Sequence, residues 1–227
     1  MASPRPDFAF ERRRWRQDVA LIAGVDEVGR GPLAGPVAAG AVIFAPEPRF
    51  RWLKSVNDSK KLTPEAREEL APLIWEKALA AAVYFISAEM IDRIGIAEAS
   101  RQAMLGALGD LCVRPQYLLL DAFPLRACRL NQTPIIGGDG VSLSIAAASI
   151  IAKVARDRLM AAHAQRYPEY GFASHKGYFT PEHARALREI GPCELHRWSF
   201  SPLKELLLGR QLELLPEPAP ALVPASL

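Results

Sequence analysis

Two acids, Asp26 and Glu27, stand side by side at the end of an apolar run, Val19-Ala20-Leu21-Ile22-Ala23, and are followed at once by Gly29-Arg30-Gly31. A strand end entering a core avoids adjacent carboxylates, because each costs several kcal/mol to bury unpaired. A divalent cation removes that penalty. Hard ions such as Mg²⁺ take oxygen ligands and keep room for water and substrate phosphate. Two more acids fall at comparable places: Asp121 after the apolar run Tyr117-Leu118-Leu119-Leu120, and Asp139 in Gly137-Gly138-Asp139-Gly140. Converging carboxylates without His or Cys suit Mg²⁺ or Mn²⁺ rather than zinc. Such a group fits two-metal phosphoryl chemistry. Successive strand residues point to opposite faces, so Asp26 and Glu27 share a site only if the strand bends, for which Gly24 and Gly29 give licence. Each acid also has a plainer reading. Asp121 can close a turn, and Asp139 can cap a helix. Asp157 lies four residues after Lys153 and reads as an ion pair on one helix face. Asp58, in Asn57-Asp58-Ser59, reads as a turn residue.

Other residue types add less. Gly29-Arg30-Gly31 is no dinucleotide-binding loop, since Pro32 and Gly35 break the required glycine spacing. His163, His175, His183 and His196 lack metal-ligand spacing and read as structural or surface groups. In His175-Lys176-Gly177-Tyr178 an aromatic ring beside a lysine suits stacking on a sugar or base while the lysine meets phosphate. Cys112, Cys128 and Cys193 form no paired motif, which argues against a disulfide framework or structural zinc. Reduced thiols fit a cytoplasmic protein. With 227 residues, half of them hydrophobic, and a formal charge of +3, the chain has material for one sizeable core and permits a polyanionic partner without demanding one. No signal-peptide core and no membrane-spanning run is visible.

The elements that must carry these groups follow from punctuation and periodicity. Residues 1–18 form a basic arm, extended or a short amphipathic helix. Strands are expected at about 19–26, 36–44, 81–87, 117–121 and 133–136. Thr63-Pro64-Glu65 starts one helix, with Thr63 as its cap. Further helices are expected near 97–111 and 141–163, the latter rich in small residues that allow close packing on a sheet. Residues 54–61 form a polar loop, and Thr180-Pro181-Glu182 opens another helix. The tail, 211–227, is Pro- and Ala-rich and reads as disordered. Early strands followed by alternating strands and helices argue for a mixed sheet covered by helices.

In combination these segments resemble ribonuclease HII. The matching blocks are Gly24–Gly31, Asp58-Ser59-Lys60-Lys61-Leu62, Asp121, Gly138–Asp157, His175–Tyr178 and His196-Arg197-Trp198-Ser199-Phe200, in the family's order from about residue 19 to about 203. The resemblance implies a ribonuclease H-like α/β fold: a mixed five-stranded sheet flanked by helices over 19–163, with a helical C-terminal extension over 164–210. It implies an endonuclease that hydrolyses RNA paired with DNA and nicks 5′ of single ribonucleotides in duplex DNA, using two Mg²⁺ or Mn²⁺ ions. Asp26, Glu27, Asp121 and Asp139 match its metal-binding carboxylates. Gly29, Arg30 and Gly31 match the loop that reads the ribonucleotide 2′-hydroxyl, the group separating RNA from DNA. Tyr178 matches the tyrosine that packs on the neighbouring deoxyribose. Lys60, Lys61, Ser149 and Lys153 fall in segments near the nucleic-acid backbone. Val28 and Gly140 depart from the usual Ala and Ser, and the glycine is expected to loosen the hold on Asp139. The arm is short for the extra domain of ribonuclease HIII. Gln211-Leu212-Glu213-Leu214-Leu215 lacks the aromatic pair of a sliding-clamp peptide, and nothing suggests more than a monomer. A non-catalytic hybrid binder and a related two-metal nuclease of different substrate stay open as alternatives.

Overall fold

The computed structural model describes residues 5–205. The expectations for the tail and for a clamp peptide at 211–215 lie outside the described residues. Five strands, β1 (Ile22–Val28), β2 (Val37–Ile43), β3 (Ala80–Ile86), β4 (Tyr117–Asp121) and β5 (Asn131–Ile135), form one sheet in the order β3-β2-β1-β4-β5. β1 to β3 are an antiparallel meander, whereas β4 and β5 run parallel to β1. The sheet is therefore mixed, as expected. β5 contains Pro134, which an edge strand tolerates because one side of it needs no ladder donor.

The helices, in chain order, are α1 (Ala9–Trp15), α2 (Pro64–Lys77), α3 (Ala88–Ile94), α4 (Ile96–Gly109), α5 (Leu143–Arg166), α6 (Phe172–His175) and α7 (Pro181–Ile190). The cap at Thr63 is present: its hydroxyl accepts from the Ala66 amide at 3.2 Å. Two features differ from the sequence expectation. The helix expected near 97–111 is α4, but a further helix, α3, precedes it, and Gly95, whose φ of +78° belongs to the left-handed region, turns α3 into α4. The polar loop at 54–61 holds short 3₁₀ turns at Arg51–Ser55 and Ser59–Lys61. Among the described residues no helix is long and apolar enough to cross a membrane.

Each face of the sheet has its own core. Ala23, Val25, Ala39, Ala41 and Leu118 pack on Ala99, Ala103, Met104 and Ala107 of α4. On the other face Val42 packs with Leu70 and Ile74 of α2 and with Ala146, Ala147, Ile150 and Ile151 of α5. α5 lies unusually close to the sheet because two strand residues facing it have no side chain. A Cβ on Gly24 would stand 2.2 Å from the Ser144 carbonyl carbon, and one on Gly40 2.2 Å from the Ala148 oxygen. Backbone sits against backbone there, so neither partner can yield cheaply.

Gly24→Ala and Gly40→Ala are each expected to lower unfolding free energy by about 3 kcal/mol or more. Gly109→Ala, where an added Cβ meets nothing within 4 Å, is expected to leave stability unchanged or raise it by up to about 1 kcal/mol. Urea titrations of the three variants check this ordering.

Candidate active site

The strand that carries Asp26 and Glu27 does not bend. Its pairing with β2 runs without interruption through Asp26–Gly40 and Glu27–Ala39, so alternation holds and the expected kink is corrected. Gly24 serves the approach of α5 instead. Asp26 faces α5, where it is 3% exposed. Glu27 emerges on the other face at the strand's end, held by Arg30, whose guanidinium donates to Oε1 at 3.0 Å. Asp121, at the end of β4, accepts from the Gly138 amide at 2.7 Å. That bond draws the turn Gly138–Gly140, with buried Asp139, up to the end of the strand. Ala122 just beyond takes a left-handed φ of +60°, a strain of about 1 kcal/mol for a residue with a Cβ.

The charges here are uncomfortable by themselves. Burial pushes Asp26 well above its ordinary value, and the charges of Glu27, Asp121 and Asp139 add to the rise; the Ser149 hydroxyl opposes it. Burial also raises Glu27 and Asp139, with Arg30 opposing the first shift and Lys60 the second. Asp58, read from sequence as a turn residue, does cap its turn by accepting from the Lys60 amide at 2.9 Å. Its charge also raises Asp139, so it borders the acidic group. Lys60 Nζ stands 3.6 Å from Asp139 Oδ2. Desolvation would lower this lysine, but Asp139, Asp26, Asp58 and Asp121 together raise it. One lysine is a small answer to that much negative charge.

The residues fit a hard cation. Glu27 Oε2 and Asp139 Oδ2 are buried acceptors without a hydrogen-bond partner, and all the nearby ligand types are carboxylate oxygens. Among the described residues no three side chains are already drawn into a closed coordination sphere. An open site with few protein ligands, completed by water and phosphate, is what Mg²⁺ tolerates best.

Next to the acids lies the exit loop of β1. Gly29 has φ +84°, and a Cβ on it would stand 2.1 Å from Arg156 Nε. Arg197 reaches under this loop and donates to the carbonyls of Gly29 at 2.6 Å, Arg30 at 2.8 Å and Gly35 at 2.9 Å. In a trans peptide the N–H points opposite to the C=O. The amides of Arg30 and Gly31 therefore point away from Arg197, and among the described residues neither has a hydrogen-bond acceptor. Arg156 ties the same region to the Tyr178 segment, donating to Pro36, Ala34 and Lys176 carbonyls at 2.8, 3.1 and 3.1 Å. Tyr178 is exposed, with its ring edge 3.7 Å from where a Gly31 Cβ would be. The sequence reading missed Arg156 and the role of Arg197. Their one signal was position inside blocks already singled out, since an arginine bound to main-chain carbonyls leaves no pattern of its own.

The looser candidates divide. Lys60 reaches the acids, whereas Lys61 pairs with Asp58 at 3.8 Å. Ser149 is buried, exchanges a hydrogen bond with Ser59 at 2.9 Å and faces Asp26. It is inside the protein, so the expected backbone contact gives way to orientation of an acid. Lys153 bonds Asp157 at 2.6 Å, the expected helix-face pair, and Arg67 stands 3.7 Å from the same acid. Three histidines form a buried stack. His183 and His196 meet through their Nε2 atoms at 3.0 Å, and His183 Nδ1 donates to the Tyr178 carbonyl at 2.9 Å. Desolvation, then the neighbouring His183, pushes His196 down to about 4, so the pair is neutral and structural. His163 lies apart from them on α5.

The family model described as Ribonuclease HII matches residues 23–202 of the chain. The Ribonuclease HII of Moorella thermoacetica is 52% identical over 193 residues, which cover 85% of this chain and 92% of that relative. Among solved structures, the ribonuclease H2 from Pyrococcus horikoshii OT3 matches with TM-score 0.71 and 25% identity, over 84% of this chain and 99% of that one. Bst-RNase HIII in complex with Mn²⁺ matches with TM-score 0.61 and 21% identity, over 86% of this chain and 71% of that one, a likeness of fold.

The electrostatics give a signed prediction. A carboxyl whose folded pKa is raised loses stability as pH climbs from its unfolded value toward its folded one. In chelator, Asp26→Asn should therefore make the protein more stable than the parent at pH 8. The gain should shrink as pH falls and vanish near the ordinary carboxylate value of 3.8. Thermal melts across pH check it; a variant less stable at pH 8 would mean that the acid is not under strain.

Proposed function

The chain belongs to the ribonuclease HII family of metal-dependent ribonuclease H endonucleases, and from that premise we propose how its own residues do the work. Asp26, Glu27, Asp121 and Asp139 would hold the divalent cations, Mg²⁺ or Mn²⁺, in a site that takes two. The observation that carries this reading is the buried Glu27 Oε2, which has no hydrogen-bond partner, and the buried Asp139 Oδ2, which has only Lys60 at 3.6 Å, beside an Asp26 whose burial outweighs the opposing Ser149 hydroxyl. Bound there, the cations would activate water and neutralise charge on the phosphodiester.

The protein's part is to hold and to select. The outward amides of Arg30 and Gly31 offer two donors to a phosphate or to the 2′-hydroxyl of a ribonucleotide. Arg30, fixed through Glu27 and lying 5.6 Å from the Phe123 ring centre, is steadied for the same purpose. Tyr178 presents an exposed ring beside Gly31, where the deoxyribose following a ribonucleotide would lie. Lys60, exposed along most of its length, can move from Asp139 to a phosphate. Lys61 and Lys153 would act through the field they add, and Ser149 through the orientation of Asp26. With the ribonucleotide so placed, the bond cut is the phosphodiester on its 5′ side, leaving 3′-hydroxyl and 5′-phosphate ends. Substrates are RNA–DNA hybrids and duplex DNA carrying single ribonucleotides.

The test is cleavage of a duplex with one ribonucleotide, beside an all-DNA control, in Mg²⁺, Mn²⁺ or chelator. A metal-dependent cut 5′ of the ribonucleotide, absent from the control, is expected. Asp121→Asn should lower the rate by 100-fold or more, in the range of about 10²–10³ for an essential electrostatic group, while retaining substrate binding. Normal cutting by that variant would misplace the site. Tyr178→Ala should reduce cutting at single ribonucleotides more than in long hybrids. Its unfolding free energy should change by no more than about 1 kcal/mol, since nearly half of the residue is exposed.

A further inference from the structure

The N-terminal arm does more than supply basic charge. Phe8 anchors it in the core, 5.7 Å from the Phe44 ring and 5.4 Å from Trp15. Arg14 donates to the Tyr117 hydroxyl at 2.7 Å. Between these anchors α1 buries one carboxylate completely, that of Glu11. Its Oε1 accepts from the Ser142 hydroxyl at 2.7 Å and from the Ser144 amide at 3.0 Å. Ser142 is the cap of α5, and its hydroxyl in turn accepts from the Ile145 amide at 3.3 Å. Just before the helix, Asp7 grips the same segment through its backbone. Its amide donates to the Val141 carbonyl at 3.2 Å, and its carbonyl accepts from the Leu143 amide at 3.0 Å.

Four consecutive residues, 141–144, are thus held by the arm, and they begin two positions after Asp139. The turn that carries Asp139 is closed by main-chain hydrogen bonds from Gly140 to Gly137 at 3.0 Å and from Val141 and Ser142 to Gly138 at 3.1 and 2.8 Å, but its side chains add little to them. It contains Gly137, Gly138 and Gly140, and a Cβ at Gly137 or Gly140 would meet nothing within 4 Å. Glycines widen the choice of backbone states, so the turn gains precision from being held at its ends as well. At one end Asp121 receives the Gly138 amide at 2.7 Å. At the other stand Glu11 and Asp7.

We propose that Glu11 is a positioning residue for Asp139: by holding Ser142 and Ser144 it fixes the glycine-rich turn from below, so that the carboxylate is presented to the cation rather than sampled among several places. The proposal rests on the reading of Asp139 as a metal ligand. It also explains how a glycine is tolerated directly after that acid: the brace replaces the stiffness that a residue with a side chain would give.

The experiment is titration of the full, substrate-free chain with Mn²⁺ by calorimetry, repeated as the metal-induced rise in melting temperature, alongside cleavage as a function of Mg²⁺ concentration. Supporting groups behind a metal ligand are worth about 10–100-fold in affinity. Glu11→Ala should weaken Mn²⁺ binding by about tenfold, and its cleavage should recover to within about twofold of the parent at saturating Mg²⁺, as expected when only ligand placement suffers. Glu11→Gln, whose amide oxygen can accept both hydrogen bonds, should restore affinity. Glu11→Asp keeps charge and fold but withdraws the carboxylate by one methylene, and should weaken binding as well. Unchanged affinity in both the Ala and Asp variants would overturn the proposal, as would a Gln variant as weak as Ala. Asp139→Asn separates the two readings. If it too leaves Mn²⁺ binding intact, the ligand assignment has failed; if it loses binding while Glu11→Ala does not, the brace alone has failed.

Discussion

The close approach of α5 to the sheet is the constraint on which the rest depends. Gly24 and Gly40 remove the side chains that would hold the helix away, and further along Gly29 and Gly35 make way for Arg156 and Met160 from the same helix. One rigid rod therefore registers everything along it. At its start stands the turn with Asp139, near its first third Ser149 beside Asp26, and farther on Arg156 under the loop after β1. A helix rises about 1.5 Å per residue, so the interval from Ser144 to Arg156 spans about 18 Å. That is comparable with a few nucleotides of backbone, and it fixes how far the acidic end lies from the loop with free amides.

Charge is sorted along the same rod. Carboxylates gather at one end with few cations, and two arginines are buried at the other with no carboxylate among their hydrogen-bond partners. Burial is the chief reason why Arg197 is pushed down to about 9, with Arg156 adding to it. Neither arrangement serves stability best. Replacing buried charges by well-packed apolar groups is often neutral or stabilising. What the arginines give instead is geometry: a planar fork of donors that holds several carbonyls at once. What the acids give, in the proposed reading, is affinity for a divalent cation.

The sequence made part of this legible. Apolar runs located all five strands to within a few residues, and the acid at the end of β4 stood out by its place after an apolar run, although a turn acid was the plainer reading. The placement of Asp26 and Glu27 was readable only in outline: alternation said that they must face apart, and they do. The kink invoked to reunite them was unnecessary, because at the very end of a strand a carboxylate on either face can border the same space. Arg156, Arg197 and Glu11 were illegible for a different reason. Each is a buried charged group whose partners are mainly backbone atoms or a cap, distant in sequence, and periodicity reports only which face of an element is apolar. Asp58 was read correctly as a turn residue and incompletely for the same cause, since its neighbour Asp139 lies far along the chain.

Selection between RNA and DNA in the proposed reading rests on two exposed pieces, the Arg30–Gly31 amides and the Tyr178 ring, from segments far apart in sequence. The main chain of both pieces is held by groups from other segments. The Leu33 and Ala34 amides donate to the Gly177 carbonyl at 2.8 and 3.3 Å, and a Cβ on Gly177 would stand 2.4 Å from the Ala34 oxygen. The His183–His196 pair fixes the Tyr178 carbonyl, and Arg156 the carbonyls on either side of the gap. Discrimination of a single hydroxyl requires donors placed to a fraction of an ångström, because an unpaired buried polar group is what penalises the wrong substrate. The placement is made by main chain, buried guanidinium and neutral imidazole, all shielded from solvent. The exposed groups then need only be the right chemical type, while the accuracy of their spacing belongs to residues that never touch the substrate.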